Sequence, residues 1–65
     1  MRAIRLSEVM EKIGLKRGSI YDKLNPKSDH YDPTFPRPFK LGERAIAWDE
    51  RAINKWLRKL SKSQR

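Results

Sequence analysis

The sequence predicts an α+β fold with three helices and a two-stranded β-hairpin between the second and the third. Two short apolar patterns of helical spacing meet at Gly14, and FPRPFKLGERAIAW (35–48) alternates apolar and polar residues around a glycine. Apolar residues then recur at i, i+3, i+4 and i+7 from Ile53. This order is that of a small winged helix-turn-helix, expected to form a single domain over residues 1–65 with a thin core.

The first helix is predicted to start at a Ser7 cap, with Glu8 and Glu11 in its first turn, where acids favour the positive end of the dipole. Gly14 is expected to end it in the left-handed conformation, and Leu15 to pack back on it. Its apolar side comprises Val9, Met10 and Ile13. The second helix is predicted over Arg17–Leu24, a spacing typical of a helix-turn-helix.

Residues 25–34, NPKSDHYDPT, contain two Asx-Pro turns and predict a loop. The segment exceeds the usual connection of about 4 to 6 residues. We therefore expect it to be either mobile or tied down by its own side chains. Tyr31 and Phe35 are the candidate anchors.

Pro36 and Pro38 favour extended backbone before the hairpin, and Gly42–Glu43 suits a two-residue type II′ turn, which has glycine first. Phe39 lies opposite Ile46 and Leu41 opposite Arg44, with Trp48 on the same face.

Asp49 is expected to cap the third helix, with Trp48 and Ile53 forming a hydrophobic staple across its start. Both tryptophans are predicted to be core residues. The polar, basic residues 61–65 are expected to fray. The apolar stripe of this helix comprises Ile53, Trp56, Leu57 and Leu60.

Sixteen Lys and Arg against eight Asp and Glu give a net charge of +8, which attracts polyanions, nucleic acid first among them. The N-terminus lacks the apolar segment of a signal peptide, and no segment is apolar enough to span a membrane, so we expect a cytoplasmic, nucleoid-associated protein. Cysteine is absent, and His30 stands alone in a loop. We therefore expect no enzyme, no catalytic or metal-binding residues, no cofactor and no small-molecule substrate.

Cations and small polar groups near the start of a recognition helix reach base edges in the major groove. Arg17 suits bidentate pairing with guanine, and Gly18 permits close approach to phosphate. At the wing, Lys40 and Arg44 suit phosphate or minor-groove contact, although edge strands also carry such cations against aggregation. The candidate DNA-binding residues of the second helix are Lys16, Arg17, Gly18, Ser19, Tyr21 and Lys23.

Several short motifs together resemble the AlpA-type prophage regulators. The segment NPKSDHYDPTFP (25–36) is the most specific, because such an insertion before the FP pair occurs in the protein that gives the family its name and not in shorter relatives. Lys16, where relatives often have a small capping residue, and Gly18 depart from the pattern. The other matching motifs are RL (5–6), GL (14–15), SIYD (19–22), LG (41–42), Trp48 and NKWL (54–57).

The resemblance implies a winged-helix fold similar to phage excisionases and to the DNA-binding heads of MerR-type regulators. It implies double-stranded DNA near integrase genes as the partner, with the second helix in the major groove and the hairpin around Gly42 on the backbone or minor groove. A transcriptional activator of an integrase or excision gene is the leading hypothesis. Side-by-side copies of the chain, an integrase and RNA polymerase are possible protein partners.

Two alternatives remain open at this stage. An excisionase that bends attachment-site DNA would use the same groove-binding residues, so the sequence does not separate it from an activator. In another class, DERAINKWLRKLSKSQR (49–65) combines an apolar stripe with a basic remainder, as membrane-surface or partner-binding helices do.

Overall fold

The fold was obtained as a computed structural model, which describes residues 1–63. It confirms the predicted α+β winged helix-turn-helix, with the hairpin between the second and third helices, and adds one strand at the N-terminus. None of the helices within residues 1–63 is both long enough and apolar enough to cross a membrane. In chain order the elements are β1 (Ala3–Ile4), α1 (Leu6–Ile13), α2 (Arg17–Leu24), β2 (Phe39–Lys40), β3 (Ile46–Asp49) and α3 (Glu50–Ser63).

The three strands form one antiparallel sheet in the order β1-β3-β2. The unpredicted strand β1 sets Ile4 opposite Trp48, and both side chains are buried. The backbone of Arg2 continues this contact by accepting the Glu50 N–H at 2.9 Å. The N-terminus is therefore fastened to the point where β3 becomes α3.

The predicted pairing of Phe39 with Ile46 is wrong by one residue. Phe39 pairs with Ala47, and Lys40 pairs with Ile46. Directly opposite residues share one face of a sheet, and alternate residues along a strand share a face. Lys40 therefore lies on the face that carries Ile46 and Trp48, whereas Phe39 lies on the other.

The turn of the hairpin explains the shift. The Leu41 N–H donates to the Ala45 carbonyl at 2.7 Å, so residues 42–44 form a three-residue loop and Leu41 does not pair with Arg44. A type II′ turn requires positive φ at its glycine. Among residues 1–63 only Gly14 has positive φ, so the predicted two-residue turn at Gly42 is wrong.

The predicted Ser7 cap of α1 is wrong, because the helix already begins at Leu6. Its N-cap is Arg5, no side chain caps it, and Glu8 but not Glu11 lies in the first turn. The predicted end is confirmed, because Gly14 has φ 71° and ψ 24° and its N–H donates to the Met10 carbonyl at 2.9 Å. The left-handed glycine turns the chain sharply towards α2.

Helix α2 has the predicted limits. Its buried face comprises Ile20, which is fully buried, and Leu24, which packs half-buried against the core. Its N-cap, Lys16, makes no capping hydrogen bond with its side chain. The opposite face of α2 is therefore left to solvent along its first turn.

Helix α3 starts at the predicted cap, where Asp49 Oδ1 accepts the Arg51 N–H at 3.0 Å. Ile53 and Trp56 are buried as predicted, but Leu60 is 40% exposed, so the core stripe is shorter than expected. The helix continues to Ser63, past the start of the segment expected to fray. Residues 64–65 of that segment lie outside the described part of the chain.

The core is a single cluster that contains one aromatic pair and one tryptophan hydrogen bond. The rings of Phe35 and Trp56 pack edge to face at 4.9 Å, and Trp48 Nε1 donates to the Pro36 carbonyl at 3.1 Å. The two tryptophans are thus core residues, as predicted. The buried members of the cluster are Ile4, Val9, Ile20, Phe35, Trp48, Ile53 and Trp56.

Hydrogen bonds within the 25–34 loop and to its neighbours connect it to the rest of the fold. Asp32 Oδ1 accepts the Thr34 N–H at 2.9 Å, and the Asp32 N–H donates to the Lys23 carbonyl at 3.0 Å. Arg37 donates to the Tyr31 hydroxyl at 2.7 Å and to the carbonyl that ends α2 at 3.3 Å. The loop is thereby fixed to the end of α2.

Candidate nucleic-acid interface

One groove brings together the start of α1, the first turns of α2 and the wing. It has a volume of about 440 Å³ and holds both Arg17 of α2 and Arg44 of the wing turn. We call it the basic groove. Its lining residues are Arg5, Leu6, Ser7, Arg17, Tyr21, Arg44 and Ile46.

The wall formed by α2 presents an arginine stacked on a tyrosine. Arg17 and Tyr21 are four residues apart, so they lie on the same side of the helix. The Arg17 guanidinium lies 6.0 Å from the centroid of the Tyr21 ring, which is consistent with a cation–π contact. Tyr21 is 40% exposed, so its ring is open to a ligand in the groove.

The starts of two helices, α1 and α2, border this groove. Neither α1, which starts after Arg5, nor α2, which starts after Lys16, has a side-chain cap. The first N–H groups of a helix and its dipole favour an anion there. Gly18, exposed in the first turn of α2, adds no side chain between these amides and a ligand.

Arg5 and Ser7 line the groove, although no sequence pattern predicted them as binding residues. Arg5 precedes the predicted helix, and Ser7 was assigned to the cap. The only sequence indication was a cation and a hydroxyl residue around a helix start, a pattern that is common at ordinary helix ends.

The wing contributes its turn and one strand residue. Arg44 lines the basic groove, and Lys40 is exposed directly across from Ile46, another groove residue. The corrected register thus places Lys40 on the sheet face that adjoins the groove. Glu43 is also exposed in the turn, so the wing tip is mixed in charge.

Of the predicted site residues, Arg17, Tyr21 and Arg44 line the basic groove, and Ser19 and Lys23 lie on the other side of α2. The remaining predicted residues, Lys16, Gly18 and Lys40, do not line the groove. The Lys23 ammonium sits 5.4 Å from the centroid of the Trp56 ring, towards the core. Ser19 lines a separate depression that it shares with Lys23 and His30. The structure therefore divides the predicted residues of α2 into a wing side and a loop side.

Within the described residues, the arginines of the basic groove take part in no ion pair. Within residues 1–63, the ion pairs link Arg2 to Glu8 and Glu50, and Lys12 to Glu50, away from the groove arginines. The hydrogen bond from Lys12 and the charge of Arg2 hold the pKa of Glu50 below its usual value. Glu8, the acid in the first turn of α1, is thus already paired with Arg2, and the first turn of α2 contains no acid.

Comparison with known proteins gives two matches. The family described as Prophage CP4-57 regulatory protein (AlpA) matches residues 2–61. A protein of Escherichia coli (strain K12), named DNA-binding transcriptional activator AlpA, is 47% identical over 57 residues, which cover 88% of this chain and 81% of that protein. No solved structure matches the chain. The resemblance inferred from the motifs is confirmed.

Proposed function

The chain belongs to the AlpA family of prophage regulatory proteins, and we propose that it binds specific DNA sequences and regulates transcription in a prophage or integrative element. The observation that carries the proposal is the convergence of Arg17 and Arg44 on one groove. A recognition helix and a wing must face the same duplex to bind together. The name of the E. coli relative favours activation. The target that we propose, from the family resemblance, is an integrase or excision gene.

In this proposal, the exposed first turns of α2 contact the bases. Arg17 can pair bidentately with the O6 and N7 atoms of guanine, the commonest specific contact in the major groove. Tyr21 supports the guanidinium from the neighbouring turn and limits the orientations it can adopt. Ser19 is exposed on the loop side of the same helix end, outside the basic groove, where its hydroxyl can bond to a base at that flank of the site.

Residues at the rim of the basic groove contact the phosphate backbone of the DNA. Arg5 and Arg44 can neutralise phosphates, and the uncapped starts of α1 and α2 offer N–H donors to phosphate oxygens. Lys40 extends the charged surface along the wing. Lys16 completes the set at the start of α2, whereas Lys23 contributes to the general positive field.

A single copy covers little DNA. The longest extent of the molecule is 40 Å, close to the roughly 34–36 Å of one duplex turn. We therefore propose that several copies bind side by side in the bacterial cytoplasm. The bound array would then act on an integrase gene through RNA polymerase or an integrase.

Mutation of one base contact and one phosphate contact tests the assignment. Arg17→Ala should weaken binding to the selected site by about 1–3 kcal/mol and relax its specificity, whereas Lys40→Ala should weaken all sequences alike. If about five phosphates are neutralised, log K should fall against log[salt] with a slope near −4.5, and Lys40→Ala should reduce that slope by about 1. Unchanged affinity in both variants would reject this surface.

Genome-wide recovery of bound DNA followed by footprinting tests the regulatory role. Protection at a promoter of an integrase or excision gene is the expected result. Protection confined to an array inside an attachment site would instead assign the chain an architectural role in recombination.

A further inference from the structure

A second groove runs along α3, and none of its lining residues lines the basic groove. It has a volume of about 510 Å³, and we call it the α3 groove. Its apolar lining includes the 40% exposed Leu60 and the edge of Trp56. Lys55 and Lys59, both exposed, lie on its rim, and Pro36 and Ala52 complete the apolar lining.

Beyond Glu50 the charges of α3 are all positive, and the Asp32 carboxylate beside the groove already accepts hydrogen bonds from the N–H and the hydroxyl of Thr34. No acidic residue follows Glu50 in the sequence, whereas the exposed side of α3 carries five cations. Within residues 1–63 no ion pair involves Lys55 or Lys59. The groove therefore has a hydrophobic lining and a rim whose charges are available to a partner.

We propose that the α3 groove docks an amphipathic helix of a partner protein that carries acidic residues beside its apolar stripe. A helix in a groove inserts apolar residues spaced at i, i+3 or i+4, and i+7. Here those residues contact Leu60, Pro36 and Ala52, while carboxylates on the flanks of the partner helix pair with Lys55 and Lys59. The steering effect of opposite charge favours this partner over a neutral one.

The charge disfavours a second copy as the occupant, because each copy carries +8. A membrane surface would require the main aromatic residue of the stripe, but Trp56 is only 7% exposed and packs on Phe35. Nucleic acid would use the lysines but not the apolar lining. An acidic amphipathic helix uses both features.

This inference goes beyond the proposed function and does not require it. Because the two grooves share no residue, a partner in the α3 groove leaves the basic groove open to DNA. The protein would then link a DNA site to a partner protein. Peptide binding can be measured without DNA, so each proposal can fail while the other stands.

The test uses the full chain and a fluorescent synthetic peptide of about five helical turns, with leucines at helical spacing and glutamates on the flanks. The expected result is saturable binding by fluorescence anisotropy. Lys59→Glu should weaken it by about tenfold, since it sets like charges against each other. The matched control is Arg58→Glu, the same charge change at the neighbouring exposed residue outside the groove, and it should change affinity less than about twofold.

A second variant and a second peptide separate shape from charge. Leu60→Ser should weaken binding without unfolding the chain, which circular dichroism checks, because Leu60 lies at the edge of the core. A peptide of the same composition with its leucines scattered should bind weakly. Equal binding of both peptides, or equal losses in Lys59→Glu and Arg58→Glu, would overturn the proposal.

Competition excludes the other occupants. A duplex that binds the protein should leave the peptide in place, and vesicles of anionic phospholipid should not displace it. Displacement by either would overturn the proposal, as would concentration-dependent self-association that Lys59→Glu abolishes.

Discussion

The rings of Phe35 and Trp56 meet edge to face, with centroids 4.9 Å apart and planes at 89°. Phe35 closes the 25–34 loop, and Trp56 lies at the middle of α3, so this contact joins the loop to the last helix. Both side chains are buried. An edge-to-face pair stabilises the fold by about 0.5–1.5 kcal/mol beyond the contribution of the apolar area that it buries. In a core this small, one such pair supplies a large share of the free energy that stabilises the fold.

Trp56→Ala should therefore unfold the chain. The substitution should cost about 3–5 kcal/mol, and small domains have roughly 5 kcal/mol to lose. Urea denaturation followed by circular dichroism measures the loss. Leu60→Ala, at a 40% exposed position of the same helix, is the control and should remain folded. Two similar denaturation curves would mean that Trp56 is not a core residue.

Two glycines should respond oppositely to the same substitution. Gly14→Ala places a side chain at φ 71°, which should cost about 1–2 kcal/mol, although no atom lies within 4 Å of the added Cβ. Gly18→Ala lies inside α2 with equally open space, so it should stabilise by up to about 1 kcal/mol. Melting temperatures of the two variants check the signs, and shifts in the same direction would contradict this account.

Protonation of Glu50 should weaken the fold in acid. Its pKa is lowered, chiefly by the hydrogen bond from Lys12, so its ionised form is favoured in the folded chain. The contribution of ionised Glu50 to stability is fully present above pH 4.5, the usual pKa of the group. It is lost as the pH falls through the lower pKa that Glu50 has in the folded chain. Stability measured against pH should therefore decline less steeply in Glu50→Gln, whereas Glu11→Gln should follow the original protein. Identical acid curves for all three would refute the contribution.

Removal of the Arg37 side chain should loosen the loop. Arg37 contacts the Tyr31 hydroxyl, the Tyr31 ring at 5.7 Å and the carbonyl of Leu24. Arg37→Ala should therefore speed tryptic cleavage after the exposed Lys27, while Tyr31→Phe, which keeps the ring, should have a smaller effect. Equal cleavage rates in all three proteins would show that other contacts hold the loop.

Local sequence patterns predicted the helices well because their determinants are local. Asp49 caps α3, Gly14 ends α1, and the limits of α2 follow from residues within one turn. Strand β1 escaped prediction because two residues show no periodicity, and its partner Trp48 is distant in sequence. The hairpin register failed because Gly42 favours a two-residue turn by residue type, while the three-residue loop closes through the Leu41–Ala45 hydrogen bond.

The candidate site was predictable only as far as its helix and wing. Charge and position in the sequence predicted Arg17 and Arg44 as DNA-binding residues. Their placement in one groove depends on how α2 packs against the sheet. The same packing turns Lys23 towards Trp56 and brings Arg5 into the basic groove. These are long-range outcomes that no window of sequence contains.

The central claim is that the start of α2 and the turn of the wing face the same DNA. Because the chain lacks cysteine, Ser19→Cys and Glu43→Cys each provide a single attachment point for an iron chelate that cleaves nearby DNA. On the selected site, both chelates should cut, with centres less than about 10.5 base pairs, one duplex turn, apart. A chelate at Ser61→Cys on α3 is the control and should cut far less. Cleavage from Ser19→Cys but not from Glu43→Cys would contradict the claim.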